Sequence, residues 1–325
     1  MIVPQYWAEA RLQHRARGKS VTVRRFGWSD DSLQAAQAHA DARVREAMDR
    51  ILAGEPLIRR EHRMAYNGAE GLPIREEIVE RHGESVITRN GYGALCLNSP
   101  DVLFADIDFS DAPPATLVKG ALLVLVATAV ALGIWRQSFA AGLVATIAAL
   151  IFGYSLAKAV HRARVGLAGG HEARTRRGIA EFIARNPTWG VRTYRTPAGM
   201  RLLATHAAFS PADPRVGECF DALGVDAIYA RMCRLQHCFR ARLTPKPWRV
   251  GMGRHIKPRY AVWDASHAEL NERRKWIDDY LYAARGHAAC RFVEAVGNPT
   301  IHPQVAPVVE LHDALCRANE RLPLA

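Results

Sequence analysis

Two apolar runs, Gly120–Trp135 and Gln137–Ala157, break an otherwise polar and basic chain and limit its fold more than any other feature. A bilayer core of about 30 Å is crossed by about 20 helical residues, and about 17 suffice when flanking side chains reach outward. The first run has 16 uncharged residues after Lys119, whose long stem can carry its ammonium to the interface, and the second has 21 before Lys158. Neither run has a polar face, so the pattern predicts a transmembrane helical hairpin over residues 117–158, ahead of a buried helical pair. Arg136, Gln137 and Ser138 make its turn. Trp135 and Phe139 flank that turn and Phe152 and Tyr154 lie toward the other end, as interfacial aromatics do.

Charge orients the hairpin. Lys158, Arg162, Arg164, Arg174, Arg176 and Arg177 follow the second run against one acid, Glu172, whereas the turn carries only Arg136. Basic flanks stay inside, so a multi-pass protein of an inner or cytoplasmic membrane is expected, with both termini cytoplasmic. The first residues, MIVPQYWAEARLQHRARGKS, carry charges where an export signal needs an apolar core, so no cleaved signal is expected. Six scattered cysteines lack the density of a secreted disulfide scaffold and fit reduced thiols. The net charge of +12 favours anionic partners such as nucleic acid, nucleotides or lipid headgroups, although part of the excess serves membrane orientation.

Before the hairpin, VTVRRFG reads as a strand, and Ser29 or Asp30 caps a helix running to about Leu52. PLIRREHRMAY reads as a strand and IREEIVERHG as a short helix; SVITRN and YGALCLN are strands about the Asn90-Gly91 turn, and VLFADIDF is a buried strand. After the hairpin come a helix through GIAEFIARN, a β-hairpin in WGVRTYRTPAGMRLLATH, and helices in DPRVGECFDALG and DAIYARMCRLQHCF. A strand in FRARLTP, a loop over KPWRVGMGRHIKPRY, and two long helices, His267–Val296 and Pro303–Arg321, complete the pattern. The expected fold is α+β, a mostly antiparallel sheet with packed helices, interrupted by the apolar hairpin. Strand patterns on both sides of the insertion place residues 1–113 and 161–325 in one domain.

Asp106 and Asp108 are two apart on a strand and so share a face, an arrangement suited to Mg²⁺ and to catalysis of phosphoryl or nucleotidyl transfer. Acids that only cap a turn at the strand end are the plain alternative. Arg240 and Arg242 also share a strand face, and Lys246 and Arg249 follow on a proline-stiffened loop beside Trp248. With Arg195 and Arg201 they can hold the phosphates of a nucleotide or polynucleotide, with Trp248 as a stacking ring; a solvated basic strand is the alternative. Cys233, His237 and Cys238 lack paired zinc knuckles and read as core residues, and Cys290 with His287 is no stronger. His312-Asp313 is similar to the dyad of metal-dependent phosphohydrolases but stands alone, and reads as an exposed helix position.

VLFADIDF resembles the metal-binding strand of class III nucleotide cyclases and of diguanylate cyclases, and the first motif of archaeo-eukaryotic-type primases. The order downstream is most similar to the primases: acidic strand, helix, β-hairpin with a small-Gly-x-His motif, helix, and a strand bearing a third acid, spanning about Ser85–Arg249 with the insertion set aside. The resemblance implies a palm-like sheet, Mg²⁺ at Asp106 and Asp108, and a nucleotidyltransferase-like activity. The chain departs from that pattern in two places. Arg201 stands where the hairpin motif has its histidine, with His206 five residues later on the opposite face, and FRARLTPKPWR supplies cations in place of the third acid. The function expected is a membrane-anchored cytoplasmic protein binding nucleotide or nucleic acid, with Mg-dependent transfer where those acids are competent. The alternative is a non-enzymatic membrane scaffold that meets anionic lipid and a protein partner; a cysteine-dependent or zinc hydrolase requires Cys233, His237 or Cys290 to meet in space.

Overall fold

The computed structural model describes residues 3–16, 19–62, 72–259 and 262–325. In chain order the strands are β1 (Tyr6–Ala16), β2 (Lys19–Ser29), β3 (Glu77–His82), β4 (Ser85–Arg89), β5 (Leu95–Ser99), β6 (Phe104–Asp108), β7 (Gly190–Arg195), β8 (Gly199–Ala204), β9 (Phe239–Arg242) and β10 (Arg291–Gly297). The helices are α1 (Leu33–Leu52), α2 (Ala115–Trp135), α3 (Phe139–Leu167), α4 (Gly170–Arg185), α5 (Pro214–Leu223), α6 (Ala227–Gln236), α7 (Asn271–Ala284) and α8 (Ala306–Cys316). Strands pair in three antiparallel sheets: β1-β2, β10-β7-β8-β6 and β3-β4-β5-β9. The fold is thus α+β. The β6–β8 and β5–β9 ladders each join a strand that precedes the apolar helices to one that follows them.

The β1-β2 ribbon carries α1 across one face, with Ala36, Ala40, Val44, Ala47 and Met48 buried against Ala8, Ala10 and Val23. Gly27 permits the close approach: a Cβ there would lie 2.2 Å from Ala36 O and Ala40 N. Ser32 caps α1 by accepting from Ala35 N at 3.1 Å, two or three residues later than the sequence suggests. The strand expected in PLIRREHRMAY is reduced to a bridge between Arg24 and Arg60, and its end lies outside the described residues.

Three segments differ from expectation for identifiable reasons. IREEIVERHG is largely β3 and not a helix: Gly83, at φ +55°, closes a two-residue turn between His82 and Ser85 and delivers Ile78 and Glu80 into a ladder with β4, with Val79 at a register shift between them. The helix expected over His267–Val296 ends at Ala284, because the β-branched stretch after Cys290 pairs with β7 as β10. Gly297, at φ +84°, permits that pairing where a Cβ would lie 2.2 Å from Trp189 O. The charged β1 has its end exposed, which masks its strand alternation.

The main core lies between the two larger sheets and their helices, where Phe104, Leu97, Tyr194, Leu202, Phe209 and Phe239 are fully buried or nearly so. The sheets meet at β6 and β9, but no ladder joins these edges. Side chains bridge the gap. The Tyr229 hydroxyl lies 3.0 Å from Phe104 O and 3.1 Å from Arg240 O, and Arg201 of β8 donates to Arg242 O at 2.9 Å. Phe104 is therefore level with Arg240, and the Asp106 pair level with Arg242.

α2 and α3 are long and apolar enough to cross a membrane, with mean hydropathy of 2.3 and 2.0 and only 6% and 11% of their apolar windows buried. They pack on each other through small residues: a Cβ on Gly133 would lie 2.8 Å from Gly142 Cα, and one on Gly153 2.4 Å from Leu122 Cδ2. α3 continues past Ala157 to Leu167, giving it a length of about 43 Å, so its last turns carry Lys158, Arg162 and Arg164 beyond the apolar stretch. Only residues 109–114 separate β6 from α2. There Asp111 pairs with Arg162 at 3.1 Å and His171 at 3.0 Å, and Phe109 stacks on His171 with ring centroids 5.5 Å apart.

Candidate functional site

The acidic end of β6 is built against β8, with Asp106 opposite Arg201 and Asp108 opposite Gly199. A Cβ on Gly199 would lie 2.0 Å from Ile107 O, so glycine lets the two backbones close up at this point. Arg201 is 2% exposed and grips both carboxylate oxygens of Asp106, Nε to Oδ1 at 2.7 Å and Nη2 to Oδ2 at 3.0 Å. Its Nη1 faces Arg242 O at 2.9 Å and His312 Nε2 at 3.1 Å. Burial works to raise the Asp106 pKa, but the charge and hydrogen bonds of Arg201 outweigh it and hold the carboxyl below its ordinary value.

The basic loop after β9 folds back toward the same strand end. A short 3₁₀ turn, Pro247–Val250, closes at Gly251 with φ +81°, and Arg249 N donates to Lys246 O at 2.8 Å. Lys246 and Arg249 then share the neighbourhood of Arg242 and Asp108. Burial, followed by repulsion from Arg242, lowers both their pKa values, and the Asp108 carboxylate opposes the shift. Arg242 Nε and Arg249 Nη1 are buried and donate to no partner among the described residues. Trp248 is 56% exposed beside them; Lys246 Nζ lies 5.4 Å from its ring centroid, and Tyr92 meets it edge-on at 5.3 Å.

The structure therefore brings together Asp106, Asp108, Arg201, Arg242, Lys246 and Arg249. It does not bring the other expected residues there. Arg240, on the same strand face as Arg242, instead donates to Glu76 at 2.7 Å and Asn98 at 2.8 Å. Arg195 pairs with Glu172 at 3.3 Å and lies 4.7 Å from the Phe109 ring centroid, by the base of the apolar helices. His206 falls just beyond β8, which ends at Ala204, and packs against Trp189 and Phe209 with Nδ1 3.3 Å from Gly190 O.

Mg²⁺ is poorly served by this donor set. Both Asp106 oxygens are engaged by Arg201, which leaves Asp108 as the one outward carboxylate of the pair amid Arg242, Lys246 and Arg249. Hard divalent cations require several oxygen ligands, whereas this surface offers mainly N–H donors. It suits an anion better.

No family model, curated protein or solved structure matches this chain.

A second cluster went unread in the sequence. Cys290, at the entrance to β10, meets His312 and Cys316 of α8, their ligand atoms all within 4.8 Å of one another. His312 is wholly buried and not exposed as expected, because α8 turns that face toward Phe104 and Tyr194. The neighbouring Cys316, then His312, draws the Cys290 pKa down against the effect of burial, while burial drives that of Cys316 up; the Cys316 thiol donates to Arg242 O at 3.6 Å. The i, i+4 spacing of His312 and Cys316 was the local signal for a shared face; the long-range approach of Cys290 had none. Cys233 and Cys238 are buried core residues, and burial raises both thiol pKa values, that of Cys238 to about 11.

Proposed function

We propose that this is a membrane-anchored protein that binds the phosphates of a nucleotide or nucleic acid at Arg242, Lys246 and Arg249. The observation that carries this reading is the convergence of three cations on one strand end, with two buried N–H-bearing atoms unpartnered and an exposed indole alongside. A phosphate would relieve their mutual repulsion and accept from the unused donors, and a base or other flat group would lie on Trp248. The acidic strand facing the β8 hairpin supports a palm-like reading of the fold and the likeness to primases. Arg201 at the histidine position, and its hold on Asp106, favour binding over transfer.

The apolar helices would insert as a hairpin, with the basic stretch after α3 on the cytoplasmic side and the site held near the headgroups by residues 109–114. Alkaline carbonate extraction of membranes is expected to leave the full chain in the pellet; release into the supernatant would count against insertion.

Nucleoside triphosphate binding to the full chain in detergent, measured by calorimetry, tests the site. Lys246→Glu/Arg249→Glu is expected to weaken binding by roughly a hundredfold or more, since charge-assisted phosphate contacts contribute about 1.5–3 kcal/mol each. Unchanged affinity in a folded double variant would sink the reading. Strict Mg²⁺ dependence, lost with Asp108→Ala, would instead restore the metal-assisted alternative.

A further inference from the structure

We propose that Cys290, His312 and Cys316 bind one thiophilic d¹⁰ metal ion, Zn²⁺ or Cu⁺, at a buried joint between α8 and the start of β10. The three ligand atoms already lie within 4.8 Å of one another, with Cys290 Sγ 3.9 Å from His312 Nε2. Metal–sulfur and metal–nitrogen bonds of about 2.3 and 2.0 Å set neighbouring donors about 3.5–4.0 Å apart, so the observed spacing needs only a small contraction.

The imidazole is already oriented for ligation. His312 Nδ1 donates to Asp313 Oδ1 at 3.1 Å, and Arg192 holds the other oxygen of that carboxylate at 2.6 Å. This carboxylate–imidazole arrangement fixes the tautomer, leaving Nε2 unprotonated, 3.9 Å from Cys290 Sγ. His312 and Cys316 stand one helical turn apart on α8, while Cys290 is held across from them where Ala289 N donates to Cys316 O at 3.0 Å.

Charge also permits the ion. Two thiolates neutralise Zn²⁺, or leave one negative charge with Cu⁺ beside the Arg201 guanidinium. Arg201 Nη1 now donates toward His312 Nε2, and when the ion takes that lone pair it keeps Arg242 O, 2.9 Å away, as its acceptor. Sulfur and imidazole donors select these ions over Mg²⁺ or Ca²⁺. All three residues are buried, so the site would cross-link elements and offers no open face to a substrate.

The test uses the full chain in detergent, stripped with chelator under reductant and then loaded with Zn²⁺ or, anaerobically, with Cu⁺. Elemental analysis is expected to find about one ion per chain retained after desalting for one of the two, with X-ray absorption showing two sulfurs and one nitrogen. Cys290→Ser/Cys316→Ser is expected to lose that ion, and Cys233→Ser/Cys238→Ser to keep it. Equal retention by the first variant, or no retention of either ion by the wild-type chain, would overturn the proposal. Should the first variant not fold, X-ray absorption on the metal-loaded wild-type chain decides: two sulfurs and one nitrogen about the ion support the site, and any other donor set refutes it.

Discussion

Asp106→Ala is expected to destabilise the folded chain by about 3 kcal/mol or more, because it strands the Arg201 guanidinium in the core. Among the described residues Arg201 would keep Arg242 O and His312 Nε2 as acceptors, and neither carries a formal negative charge to balance it. Asp106→Leu/Arg201→Met removes both charges at similar volume and is expected to recover most of the loss. Thermal or denaturant unfolding in detergent checks both variants; an Asp106→Ala chain as stable as wild type would show that the pair does not hold the sheet seam. The pair also sets an acid limit. The folded-state pKa of Asp106 is depressed, so its stabilisation is fully present above the unfolded value of about 3.9 and is lost as pH falls through the folded value. The Leu/Met variant should therefore unfold less steeply with acid. Any loss of ligand binding in Asp106→Ala must accordingly be separated from unfolding.

Glu76→Ala is expected to cost a further large amount, about 3–5 kcal/mol. Glu76 is almost fully buried; it accepts from Thr88 Oγ1 at 2.7 Å and from Arg240 at 2.7 Å, while Asn98 Oδ1 takes the other arm of Arg240. Removing the carboxylate leaves a buried cation on β9. The same geometry separates Arg240 from its strand neighbour Arg242. Arg240→Met with Glu76→Leu should leave nucleotide affinity unchanged in the folded fraction, whereas Arg242→Met should weaken it. Calorimetry on the two variants, with unfolding followed in parallel, distinguishes these roles; weakening by the Arg240 pair variant would place Arg240 among the phosphate contacts.

Sequence pattern made some parts of this fold legible and hid others for physical reasons. The apolar helices, the β7–β8 hairpin and β6 follow from hydropathy and turn residues that act locally. β3 looked helical because its charges fall at helical spacing, and only pairing with β4 decides the matter. Alternation put Arg240 and Arg242 on one strand face, correctly, but their different partners arise from Glu76, which is distant in sequence. The approach of Lys246 and Arg249 to Asp108 was accessible only in outline, since the loop is fixed by Gly251 and the turn it closes. The Cys290–His312–Cys316 cluster joins three positions that no local period connects.

The meeting of β6 and β9 through side chains alone has a mechanical consequence. Force on the apolar helices enters the body along β6, through the short stretch fastened at Asp111, and spreads into β8 by a backbone ladder. Across the seam it reaches β9 through the Tyr229 hydroxyl and the Arg201 guanidinium, and along the chain it passes by residues 100–103 into β5 and the β5–β9 ladder. A phosphate held by the β9 loop against the end of β6 would add a further tie across this ladderless seam.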